Sequence, residues 1–144
     1  MSNKIVVGFD GSGGDTATLD FAVDLANAQG GSIVVAHVLE WSPYSFLTPS
    51  ELEERHKRRA EELERAETAV LAPVMKLLES RGVTATTALK YGNIAETLCK
   101  IVTEEGATQI VVGRNASSSL SSRLFGSVAG SLAQISSVPV TIVP

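Results

Sequence analysis

The residues of this 144-residue chain best suited to chemistry lie in two glycine-rich stretches, Asp10-Gly11-Ser12-Gly13-Gly14 near the start and Gly113 to Gly126 near the end. The second has the composition of an oxyanion cradle. Gly113 and Gly126 lack a β-carbon, so backbone N–H groups can approach a phosphate closely there, and Ser127 opens a helix whose N-terminal dipole favours negative charge. Ser117, Ser118, Ser119, Ser121 and Ser122 supply hydroxyl donors, and Arg114 and Arg123 supply positive charge. The same composition also suits a plain polar surface loop, and spacing alone leaves both readings open. The charge distribution favours the first. Residues 107–144 hold two arginines and no acid, so the first 106 residues carry −6 and the last 38 carry +2. An anion is drawn to that final segment.

These turns need strands and helices to place them. Lys4 to Phe9 and Ser32 to Val38 read as buried parallel strands, with a helix between them carrying Leu19, Ala22, Val23 and Ala26 on one face. After a loop over residues 40–49, Ser50 and Glu53 match a capping box and open a long charged helix that runs to Arg81 and bends near Pro73. Val83 to Tyr91 predicts a third strand, Gly92-Asn93 a turn into a helix with Ile94, Leu98, Ile101 and Val102 on one face, and Gln109 to Gly113 a fourth strand. A further helix starts near Gly126-Ser127, and Val138 to Val143 forms a fifth strand. Strict alternation of strands and helices makes this an α/β domain spanning residues 1–144, with a parallel sheet and helices on both faces. In such a sheet ligands bind beyond the carboxyl ends of the strands where the winding reverses. The two glycine-rich turns would wall one crevice if strands one and four are neighbours.

Several classes of function lack support. A net charge of −4 argues against general nucleic-acid binding. No apolar run approaches the ~20 residues that span a bilayer, and the expectation is a soluble, cytoplasmic protein without membrane association. Cys99 is a lone cysteine on an apolar helical face and reads as a packed residue. His37 lies in a buried strand and His56 in a charged helix, so no metal-ligand cluster is visible. Nor is there a nucleophile elbow or a Walker sequence, and no catalytic residue is assigned. The charged run from Glu51 to Glu67 reads as a solvated helix face.

Gly113-x-x-Ala116, nine residues, then Gly126-Ser127 resembles the loop of ATP-binding universal stress proteins, with Ala116 in place of the second glycine. The resemblance extends along the chain through Ile5-Val6-Val7-Gly8-Phe9-Asp10-Gly11-Ser12, Ala36-His37-Val38, Gly92-Asn93-Ile94, Ile110-Val111-Val112-Gly113 and Val138-Pro139-Val140. It implies a Rossmann-like five-stranded parallel sheet in order 3-2-1-4-5, which makes strands one and four neighbours. By the same resemblance Asp10 and Val38 contact the adenine and ribose side, and Gly113, Gly126 and Ser127 hold the phosphates. Gly11, Ser12, Arg114, Ala116, Ser117 and Val128 complete the implied cofactor-binding set. ATP is the implied cofactor, with Mg²⁺ possible beside it, and the implied role is a stress-response or signalling module; since no residue is placed as an evident base or nucleophile the chain is not read as an enzyme, and slow hydrolysis of bound ATP stays open.

The family also implies a homodimer through the C-terminal edge strand, although Pro139 and Pro144 could instead blunt that edge. The alternative within the same fold is a nucleotide-free dimeric interaction module. A third reading rests on Ser12-Gly13-Gly14-Asp15-Thr16, which resembles the Ser-Gly-Gly-x-Asp-Ser loop of ATP pyrophosphatases but lacks the spacer before Asp15.

Overall fold

The β-branched runs build the centre of the molecule: β1 (Lys4–Gly8), β2 (Ser32–Glu40) and β4 (Gln109–Gly113) are its inner strands, flanked by β3 (Ala85–Gly92) and β5 (Val140–Val143). The computed structural model describes residues 3–10, 15–40, 48–114 and 128–144. All four strand pairs are parallel and the order is β3-β2-β1-β4-β5. Strands one and four are therefore neighbours, as the crevice requires. The fifth strand is shorter than the sequence implies. It starts at Val140, because Pro139 has no N–H to give, but the Pro139 carbonyl still accepts from Ile110 N–H at 2.9 Å.

Side-chain alternation along the strands divides the core into two layers. On one face Ile5, Val7, Ile33, Val35 and Val111 pack with Leu19, Ala22, Val23 and Ala26 of α1 (Asp15–Gln29) and with Leu71, Val74 and Leu78. On the other, Val6, Val34, Ala36, Ile110 and Val112 pack with Leu98, Ile101 and Val102 of α4 (Ile94–Glu105) and with Val128 and Leu132 of α5, residues 128–135. Helices thus cover both faces, and the winding reverses between β1 and β4. Helix α4 has clear local signals. The Asn93 side chain accepts from Glu96 N–H at 3.1 Å at its start, and Gly106 takes φ 66° at its end, where a β-carbon would be strained.

The long charged helix differs from the sequence expectation in two ways. Its N-cap is Thr48, whose hydroxyl accepts from Glu51 N–H at 3.2 Å, because Pro49 at the first helical position is already set to helical φ. The helix is also three segments: α2 (Pro49–Arg65), a π-helical turn (Ala66–Leu71) and α3 (Ala72–Ser80). Pro73 has no N–H, and its ring crowds the carbonyl of Ala69. The turn ahead of it widens, so that Ala72 N–H bonds to Glu67 O five residues back. Buried positions follow that wider spacing: Ala66, then Leu71, then Val74 and Leu78.

Helix α2 itself buries no residue. It meets the sheet at Tyr91, near the end of β3, whose hydroxyl donates to Glu62 Oε2 at 2.5 Å while the Arg59 guanidinium lies 5.3 Å from the ring centre. Burial pushes the Tyr91 hydroxyl up to about 12, the hydrogen bond to Glu62 and its negative charge add to the rise, and Arg59 opposes it. A folded-state value above the unfolded value of 10.0 means that stability from this contact is intact below pH 10 and is lost as pH climbs through 12. Ultraviolet titration of tyrosinate should therefore show a step near pH 12 that Tyr91→Phe removes and Glu62→Gln moves downward.

Candidate functional site

The register of β1 and β4 runs Ile5 to Gln109, Val6 to Ile110 and Val7 to Val111, and there the pairing stops. Beyond it each strand turns to its outer neighbour. Phe9 N–H donates to Ala36 O of β2 at 2.8 Å, and Arg114 N–H donates to Val143 O of β5 at 2.6 Å. Backbone groups in a sheet interior need partners, and these two find theirs on opposite sides. The pairing of β1 with β4 thus ends at the carboxyl edge of the sheet, where the winding reverses.

Asp10, Val38, Gly113 and Arg114 stand at this edge. Gly8 pairs with Ala36, so Asp10 and Val38, each two residues further on, lie at the same level on the β1/β2 rim. Asp10 is exposed; Val38 is half-buried and packs on the α4 side of the sheet. Arg114 is exposed on the opposite wall and carries the positive charge of the segment. Val128 is the first described residue of α5, and its side chain is packed in the core, so its main chain is what it can offer a ligand. Gly11, Ser12, Ala116, Ser117, Gly126 and Ser127 lie outside the described residues.

Gly113 has a reason to be glycine that spacing did not reveal. A β-carbon there would sit 2.5 Å from Thr18 Oγ1, and Thr18 is buried in the first turns of α1. The α1 helix therefore closes over the end of β4, and glycine is what permits the approach. At Gly8, on the other face, a β-carbon would crowd Val112 Cγ1 of the neighbouring strand at 3.0 Å, while Leu98 Cδ1 of α4 would lie at an ordinary 3.5 Å. Thr18 extends the buried stripe of Ala22 and Ala26 by one helical step toward the N-terminus, and that periodicity could have marked it.

His37 was also set aside at the sequence level as a residue of a buried strand. It is buried, and its Nδ1 lies 2.7 Å from the carbonyl of Phe9, the residue before Asp10. A carbonyl only accepts, so Nδ1 carries the proton. The other candidates for chemistry are weak. Burial foremost, and the charge of Glu96, push the Cys99 thiol up, which keeps it protonated near neutral pH and a poor nucleophile. Among the described residues no three of His, Cys, Asp and Glu gather where they could share a metal ion, and no helix is long and apolar enough to cross a membrane.

The model of the universal stress protein family matches residues 1–144. Universal stress protein YxiE of Bacillus subtilis (strain 168) is 31% identical over 150 residues, covering 99% of each sequence. Among solved structures, hypothetical protein MJ0577 superimposes with a TM-score of 0.78 at 23% identity, over 99% of this chain and 96% of that one. A universal stress protein in complex with cAMP gives 0.69 at 22% identity over 99% and 97%. A relative from Archaeoglobus fulgidus in complex with dAMP gives 0.63 at 16% identity over 100% and 98%. One from Arabidopsis thaliana with AMP bound gives 0.64 at 16% over 98% and 90%.

The Gly113–Thr18 contact is directly testable. Gly113→Ala should destabilise the fold by about 1–3 kcal/mol through overpacking. Combining it with Thr18→Ala, which removes the opposing oxygen, should recover a good part of that loss in a double-mutant cycle followed by urea unfolding.

Proposed function

This chain belongs to the universal stress protein family, and on that premise we propose that it is a cytoplasmic homodimer that binds ATP between the ends of β1 and β4. The observation that carries this reading is the end of β1–β4 pairing at Val7 and Val111, at the point where the winding reverses. A ligand enters there in this proposal, beside the segment with the +2 charge balance. The adenine nucleotides bound by structures of the same fold, cAMP, dAMP and AMP, support a ligand of that class. Asp10 and Val38 form the adenine and ribose wall in this proposal, joined by Gly11 and Ser12. Gly113, Arg114, Ala116, Ser117, Gly126, Ser127 and the main chain of Val128 receive the phosphates, aided by the N-terminal dipole of α5.

Mg²⁺ enters with the triphosphate and is held chiefly by phosphate oxygens, as is usual for this ion. The geometry suits holding a nucleotide more than converting it. Among the described rim residues no base stands beside a nucleophile, and we assign no catalytic residue. The proposed role is therefore sensing or signalling through the bound state.

The dimer is proposed to form along β5. This strand ends the sheet order, so among the described residues its outer edge has no strand beside it, and Ile142 and Ile135 expose 43% and 48% of their surface nearby. Such an edge associates readily unless covered. A nucleotide-free interaction module is the second reading, favoured by α2, a long charged helix that buries nothing.

Isothermal titration with ATP and Mg²⁺ should show saturable heat at sub-millimolar nucleotide, and Gly126→Trp should abolish it while the circular dichroism is unchanged. Absence of heat from the folded wild type at millimolar ATP, AMP and cAMP would leave the interaction module as the working reading. In sedimentation velocity the wild type should run as a dimer, and Ile142→Glu should shift it to monomer; a concentration-independent wild-type monomer would refute the dimer.

A further inference from the structure

We infer that His37 is a positioning residue for the crevice, acting through the Phe9–Asp10 peptide; the role assigned to that peptide rests on the nucleotide reading above. The β1–β2 ladder ends with Gly8 opposite Ala36, closed by the bond from Phe9 N–H to Ala36 O at 2.8 Å. The next acceptor on β1, the Phe9 carbonyl, is taken by the His37 imidazole at 2.7 Å. Both polar groups of Phe9 are thus committed to β2, one to the strand itself and one to a side chain standing on it.

Two consequences follow from this arrangement. A side chain reaches further out of the sheet plane than a ladder amide, so the peptide after Phe9 is turned where the chain leaves the sheet and Asp10 begins. The bond is part-buried: His37 is 8% exposed and alternates with Ile33 and Val35 on the face that packs against α1 and α3. An acceptor drawn partly out of water and stripped of its donor costs free energy, so the chain has a reason to keep this geometry. The imidazole holds the β1 tip toward β2 while Arg114 holds the β4 tip toward β5, and His37 determines where the adenine wall of the crevice stands.

Asparagine and leucine separate the donor from the shape, since Asn Nδ2 and one Leu methyl occupy the place of His Nδ1. His37→Leu should weaken ATP or AMP binding by about tenfold or more in titration calorimetry, and His37→Asn should stay within about threefold of wild type. Equal loss in both variants, or loss in neither, overturns the inference. A measurement without nucleotide decides it independently: long-range ¹H–¹⁵N spectra of the wild type should show the proton of neutral His37 on Nδ1, and the Asp10 amide should shift in His37→Leu but hold in His37→Asn. A proton found on Nε2 alone, or an Asp10 amide indifferent to both variants, overturns the positioning role. If the wild type binds no adenine nucleotide while the spectra behave as expected, the nucleotide reading fails and His37 still sets the strand tip.

Discussion

Two parallel strands that lie side by side cannot separate at one end unless each finds new partners for its backbone groups. That requirement shapes the carboxyl edge of this sheet. Phe9 is satisfied by Ala36 and His37 on β2, and Arg114 by Val143 on β5, while the pairing of β1 with β4 ends at Val7 and Val111. The order of the strands puts β2 on one side of β1 and β5 on the far side of β4, so each of these ends is held by its outer neighbour.

Helices on both faces must then reach this edge without filling it. On the α1 face Gly113 permits the approach of Thr18, and on the α4 face Gly8 leaves room for the Val112 side chain of β4. The buried layers under them are continuous, with Val6 and Val112 on one side and Val7 and Val111 on the other. The residues just inside the rim belong to the core.

Most of the architecture was legible because its signals are local and repeated. The runs at Lys4, Ser32 and Gln109 are β-branched and short, the helices between them carry periodic apolar faces, and alternation of the two leaves few arrangements. The order of the strands came from resemblance and could not come from pattern, since no residue announces which strand will lie beside it. What escaped was of two kinds. Long-range contacts between polar side chains and distant backbone, such as His37 with Phe9, have no period and leave no trace along the chain. Competing local signals were the other kind: Thr48 and Ser50 each precede a glutamate by three residues, and Pro49 decides between them. A disturbance near Pro73 was legible, but the π-helical turn was not, because a proline says that the ladder breaks without saying how the preceding turn will absorb the break.

The π-helical turn leaves α2 standing apart from the packing that governs the rest of the molecule. About ten of its residues lie N-terminal to the Tyr91 contact, a length on the order of 15 Å at the usual helical rise. None of their side chains is buried, and exchanges on such a surface usually shift stability by less than about 0.5 kcal/mol. The molecule therefore carries a stretch of sequence where a new address can be written at little cost to the sheet and its two buried layers.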